Sequence, residues 1–168
     1  MNDLAILIGL LASGKTSFYQ SHLAATHVHV SKDLIRNNRN PARRQAKLIT
    51  EALAAGRSVA VDNTNATVEL RQELIDLGRL HDCTVTGYYV GAKLEDCLTR
   101  NASRIEKYRV LEVGLFSVLK VLVRPSYMEG FDRLFYVTLR IDGAFSVQPW
   151  EEERPSNPSD QHKKAFDE

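Results

Sequence analysis

The residues best suited to chemistry stand near the start of the chain. Gly9-Leu10-Leu11-Ala12-Ser13-Gly14-Lys15-Thr16 fits the pattern G-x-x-x-x-G-K-T at every fixed position. Each position has a task. Gly9 and Gly14 let the backbone turn tightly and come close to a nucleotide. The N–H groups of the loop point inward and cradle phosphate oxygens, aided by the positive end of the helix that follows. Lys15 reaches the β- and γ-phosphates, and the Thr16 hydroxyl binds Mg²⁺. Leu10, Leu11, Ala12 and Ser13 within the loop, and Ser17 just after it, complete the candidate ATP cradle. The plainer alternative is a glycine-rich turn between a strand and a helix, with a lysine whose stem lies along the surface.

A second group offers acceptor chemistry. In Ser31-Lys32-Asp33-Leu34-Ile35-Arg36, the Asp33 carboxylate can take a proton from an attacking hydroxyl. Arg36 lies one helical turn on and can hold a substrate phosphate. A helix-capping Asp33 with an exposed Arg36 is the structural alternative. Arg36, Arg39, Arg43 and Arg44 fall within nine residues that contain no acid. From Lys32 to Lys47 the net charge is +5, the strongest concentration in the chain. Such a segment can follow a phosphodiester backbone, although charge runs are usually solvated faces. Further on, Asp62-Asn63-Thr64-Asn65 places an acid in a Walker-B-like position, where Asp62 reaches Mg²⁺ through water. The side chains of this run also suit orienting an acceptor, and Asn65 could instead cap the next helix. Arg100 and Arg104 are four apart, so on a helix they face the same way. Two guanidiniums near a transferring phosphoryl group stabilise its charge; two bases complementing a helix C-terminus are the alternative.

The elements that must position these groups alternate along the chain. Leu4–Ile8 is a short apolar run ahead of glycine, as expected of a strand buried on both faces. A helix over about 15–25 and a strand over 27–30 follow. The pattern then predicts a helix over 41–55, a strand over 58–62, a helix over about 66–80 and a strand over 84–90. Leu94, Cys97, Leu98 and Ile105 have helical spacing. The stretch 110–123 is apolar over most of its circumference, which predicts a helix: core by default, with an acceptor-site wall or a dimer contact as the alternatives. A last strand is expected over 132–139. Strands separated by helices imply right-handed βαβ units. The expected fold is α/β, a three-layer P-loop NTPase-type sandwich around a mainly parallel five-stranded sheet. Ligands of such sheets bind beyond the carboxyl ends of the strands, where Lys15, Asp33 and Asp62 would all lie. Residues 1–148 form the expected domain, with a lid at about 100–110, and 149–168 a polar, mobile tail.

Composition bounds the rest. At 168 residues, 43% hydrophobic and 26% charged, the chain is ordinary for a globular protein and not for a disordered one. Net charge is +1, but residues 150–168 carry −3 and the remainder +4. Cys83 and Cys97 are too few for a disulfide framework and read as reduced, packing thiols. The histidines and cysteines lack zinc-ligand spacing. Asp3 and the absence of a base before the first apolar run argue against a secretory signal. No run approaches the ~20 apolar residues that span a bilayer. A cytoplasmic protein without membrane contact is expected; nothing predicts its oligomeric state.

Together these residues resemble the kinase module of the 5′-hydroxyl polynucleotide kinases of bacteriophage and animal type, over about residues 4–137. The resemblance rests on the P-loop, on Asp33 with Arg36, on Asp62-Asn63-Thr64-Asn65 and on Arg100-Asn101-Ala102-Ser103-Arg104. It also includes Pro125-Ser126-Tyr127-Met128-Glu129-Gly130-Phe131, similar to a P-x-x-x-E-G-F segment of the animal kinases. It implies that Lys15 and Thr16 bind ATP and magnesium and that Asp33 is the general base for the 5′-hydroxyl. It further implies that Arg36 meets the acceptor's 3′-phosphate, Asn63 supports the acceptor site and Arg104 is the lid arginine on the donor phosphates. Leu111 stands where the family usually has proline, and the stretch 110–123 is more apolar than a nucleic-acid wall. The resemblance covers the kinase module and not the phosphatase domain with which those enzymes pair it. A small-molecule kinase would use the same donor machinery. A non-catalytic nucleotide-binding module is the other alternative.

Overall fold

The computed structural model describes residues 1–152. Its centre is the run Leu4-Ala5-Ile6-Leu7-Ile8, every side chain of which is buried. A strand apolar on both sides needs cover on both sides, and the sheet supplies it. The strands are β1 (Asp3–Ile8), β2 (His27–Val30), β3 (Ser58–Asp62), β4 (Thr84–Gly91), β5 (Arg133–Leu139) and β6 (Phe145–Pro149), in the order β2-β3-β1-β4-β5-β6. The first five run parallel; β6 pairs antiparallel with β5.

The helices are α1 (Lys15–Phe18), which continues as a π-helical turn over Tyr19–Leu23, then α2 (Pro41–Ala54), α3 (Val68–Leu80), α4 (Leu94–Ser103) and α5 (Glu112–Val121). On one face of the sheet, Leu4, Ile6, Val59, Val61 and Val85 pack against Ile49 and Leu53 of α2 and Leu74 and Ile75 of α3. On the other, Ala5, Leu7, Ala60 and Val137 pack against Phe18, Tyr19 and Leu23. The fold is therefore the expected α/β three-layer arrangement, with a six-stranded sheet.

The sixth strand is a correction. Phe145–Pro149 is short, ends in proline and sits on an edge, so it carries little strand pattern. Its hairpin turns through Gly143 (φ +81°). Its first residue, Phe145, packs edge-on against Phe18, with ring centroids 5.4 Å apart. Folded chain also extends past 148: Trp150 is buried, donates its N–H to the Leu134 carbonyl at 2.9 Å and lies 4.9 Å beneath the Arg124 guanidinium. The remainder of the expected tail, 153–168, lies outside the described residues.

The helix at 110–123 exists, but it is not core. Only Leu115 of α5 is buried, while Leu111 is 77% and Val113 67% exposed. The helix touches α4 and the P-loop along one side through Leu115 and Val118. Val113, Phe116, Leu119 and Val121 elsewhere on the helix are exposed.

Candidate active site

Strand order reverses around β1: the chain crosses to β2 on one side and later to β4 on the other. A crevice opens at such a switch point, beyond the carboxyl ends of the strands. The P-loop occupies it. Gly9 has φ +151°, and a Cβ there would stand 2.6 Å from the Val90 carbonyl oxygen, so no side chain fits. Gly14, at φ +106°, provides the left-handed N-cap of α1. Lys15 is only 7% exposed. Its Nζ donates to the carbonyls of Gly9 at 3.0 Å and Leu10 at 2.6 Å, which folds the amine over its own loop. Burial lowers its pKa to about 8, against the opposing pull of Asp62. Asp33 and Arg104 also lie close enough for their charges to act on it, in opposite directions.

Register places Asp62 beside the P-loop, because Leu7 pairs with Asp62 across β1 and β3. The Thr16 hydroxyl donates to Asp62 Oδ2 at 2.7 Å. Asp62 is 6% exposed. A hydroxyl and a carboxylate in contact are hard oxygen donors, the set that suits Mg²⁺ carried with a nucleotide.

Asn63 ties the candidate acceptor side together. Its Oδ1 accepts from the Lys32 N–H at 2.9 Å and its Nδ2 donates to Gln45 Oε1 at 2.7 Å. The 3₁₀ turn Lys32–Ile35, which carries Asp33, is thereby fastened to the tip of β3 and to α2. Ser31 caps the same turn, accepting from the Asp33 N–H at 3.3 Å. Asp33 and Arg36 are exposed toward solvent at this rim, and so are Arg39 and Arg43. Thr64 contributes its carbonyl, which accepts from the Gly9 N–H at 3.0 Å. Asn65 turns inward: at 5% exposure, with φ +43°, it donates to the Leu7 carbonyl at 2.7 Å. It braces the β1–β3 junction beneath the P-loop and does not cap α3, whose cap is Thr67.

Arg100 and Arg104 are separated by the end of α4. Arg100 donates to the Ala12 carbonyl at 3.0 Å, which clips the helix to the P-loop. Arg104 is the residue after the helix, in extended conformation. Ile105, expected to continue the helical spacing, lies beyond it. A cavity of about 370 Å³ beside Arg100 is also lined by Tyr89, Gly91, Lys93, Asp96 and Arg124.

Several participants escape a motif search. Gln45 is a buried amide within a basic helix. Tyr19 stacks on His29, and His29 contacts Asp62. Arg71 is fully buried: its guanidinium holds both oxygens of Glu129 at 2.7 and 2.8 Å and donates to the carbonyls of Asn65, Ala66 and Val123. Strand alternation offers one signal, since His27 and His29 share a face of β2. Helical spacing offers another, since Arg71 falls on the Leu74–Ile75–Gly78 stripe of α3.

A family model described as an AAA domain matches residues 4–120, from the first strand through most of α5. The chain belongs to this family. Its P-loop kinase fold is shared by solved structures of low identity. A fungal RNA kinase superposes with a TM-score of 0.61 at 16% identity, covering 98% of this chain and 43% of that one. A sugar kinase from Janibacter sp. HTCC2649 superposes with a TM-score of 0.61 at 14% identity, covering 82% of this chain and 86% of that one. Among curated sequences, a putative bifunctional polynucleotide phosphatase/kinase of Acanthamoeba polyphaga mimivirus is 24% identical over 158 residues, 88% of this chain and 36% of that protein. The chain spans between 16% and 36% of the curated relatives it matches. No helix of the described residues is long and apolar enough to cross a membrane.

Proposed function

We propose that this domain is an ATP-dependent phosphotransferase whose acceptor is the 5′-hydroxyl end of a polynucleotide. The observation that carries the reading is the fastening of the strand tips: Asn63 holds the turn that bears Asp33 beside Asp62, whose carboxylate accepts from Thr16 of the P-loop. That arrangement supports a donor cradle and an acceptor-side carboxylate at adjacent strand tips.

ATP places its β- and γ-phosphates in the P-loop, among the loop N–H groups and Lys15. Thr16 and Asp62 are the residues that would hold Mg²⁺, which would supply neutralising charge to the phosphate oxygens. The acceptor hydroxyl gives its proton to Asp33. Its oxygen forms a bond to the γ-phosphorus as the bond to the β,γ-bridging oxygen breaks, and ADP leaves with that electron pair. Lys15 and Arg104 stabilise the charge spread over the transferring group. Arg36 binds a phosphate of the acceptor. The polynucleotide acceptor is supported by the exposed basic rim from Arg36 to Arg43 beside Asp33, and by the names of the viral relative and the fungal structure.

The test is transfer of labelled γ-phosphate over 5′-hydroxyl oligonucleotides, nucleosides and sugars. Oligonucleotides are expected to be labelled and the small molecules not. Labelling of a nucleoside or sugar alone would move the acceptor to the small-molecule class. Asp33→Asn is expected to keep ATP binding and lose transfer by at least ~10²-fold. Near-normal turnover would remove Asp33 as the base.

A further inference from the structure

Asp62 has a second partner that the donor machinery does not require. His29 Nε2 lies 3.0 Å from Asp62 Oδ2, the same oxygen that accepts from Thr16 at 2.7 Å. An ionised carboxylate only accepts, so Nε2 carries the proton and donates. The imidazole is itself fixed. It stacks on Tyr19 with centroids 4.1 Å apart and planes 14° from parallel. Tyr19 is held in turn, its hydroxyl donating to the His27 carbonyl at 3.0 Å. Tyr19 belongs to the helical segment that begins at the P-loop. A closed circuit results: P-loop helix to Tyr19, Tyr19 to His29, His29 to Asp62, and Asp62 back to Thr16 on the same helix.

We infer that His29 is a positioning residue, which together with Thr16 anchors Oδ2 of Asp62 and so orients Oδ1 toward the phosphate crevice. This rests on the phosphotransferase reading, since it concerns the cation that accompanies ATP. Two donors on one oxygen fix the plane of the carboxylate. With Thr16 alone, the group can rotate about its Cβ–Cγ bond, and the oxygen offered to a cation's water shell is no longer fixed. Partners that orient a metal-binding group commonly contribute 10–100-fold in metal affinity. The side chain is 23% exposed and needs no rearrangement to act.

The test uses calorimetric binding of a non-hydrolysable ATP analogue, with and without Mg²⁺. The informative variant is His29→Phe, which keeps a ring for the Tyr19 stack and removes the N–H. In the wild type, Mg²⁺ should strengthen analogue binding. In His29→Phe that strengthening should fall by about tenfold while Mg²⁺-free binding stays within about twofold. His29→Gln, which restores an N–H donor, should recover much of it. If His29→Phe responds to Mg²⁺ as the wild type does, the inference is wrong and the phosphotransferase reading stands. If the wild type shows no Mg²⁺ response, the phosphotransferase reading falls and this inference with it.

Discussion

Lys15 shows what a single candidate site residue does to the stability of the free protein. Its amine is buried against two carbonyls and titrates near 8 in the folded chain, against 10.5 when unfolded. Below about pH 8 the amine is charged in both states, and folding bears the cost of burying that charge, about 3 kcal/mol at most. Between about pH 8 and 10.5 the unfolded chain binds more protons than the folded one, so the lysine's contribution to stability rises with pH through that window. Lys15→Met is therefore expected to bind ATP poorly and transfer nothing, yet to unfold later than wild type in urea at pH 7, by up to about 3 kcal/mol. The gap should narrow toward pH 10.5. Equal stabilities at both pH values would show that the loop carbonyls and Asp62 fully compensate the burial. This residue was legible from the sequence, because a G-x-x-x-x-G-K-T run after an apolar strand leaves few other uses. Asp33, Asp62 and Asn63 were legible as strand-tip groups, although Asn63's work of fastening Lys32 and Gln45 was not. His29 was harder to read: strand alternation puts it on the face of His27, but its aromatic stack and its carboxylate contact follow no spacing rule.

At the scale of elements, the least legible feature is the clamp between α3 and the segment before β5. Arg71 and Glu129 are 58 residues apart, and neither is exceptional in composition. The clamp exists because Arg71 lies on the buried stripe of α3, where a guanidinium must find partners or destabilise the fold. Glu129 supplies two oxygens and also accepts from the Ser126 N–H at 3.1 Å, which shapes the P-x-x-x-E-G-F segment. The Val123, Ala66 and Asn65 carbonyls complete the set and hold the loop after β3 beneath the crevice. Removing one partner of a buried pair strands the other charge. Glu129→Ala is thus expected to lower unfolding stability by about 3–5 kcal/mol, whereas Arg71→Met with Glu129→Leu should recover most of that loss. Urea titrations of Arg71→Met, Glu129→Leu and the double variant form the cycle that decides it, and a loss below about 1 kcal/mol for Glu129→Ala would make the pair incidental. The parallel strands were legible because a doubly covered strand must be apolar throughout. β6 and the exposure of α5 were not. Strand β6 covers an edge with few apolar positions, and the apolar circumference of α5 says nothing about how many sides find a neighbour.

Over the whole molecule, charge is arranged more tellingly than its sum. The net charge is +1, yet Arg36, Arg39 and Arg43 lie exposed along the approach to Asp33, with Arg44 half-buried beside them. Among the described residues none of these four forms an ion pair. Unpaired guanidiniums at the rim of a crevice keep their full field for a ligand. If they track the backbone of a single strand, each phosphate neutralised releases about 0.7 of a counterion. Replacing Arg39, Arg43 and Arg44 with alanine should then make the dependence of log affinity on log salt shallower by about 2. Oligonucleotide binding should weaken most at low salt, while ATP binding should stay as it was, because none of the three arginines belongs to the P-loop. A small-molecule acceptor engages at most one of these charges, so its affinity should change little with salt in either protein. An oligonucleotide whose binding is equally salt-sensitive before and after the triple replacement would place its phosphates somewhere other than α2 and the turn before it.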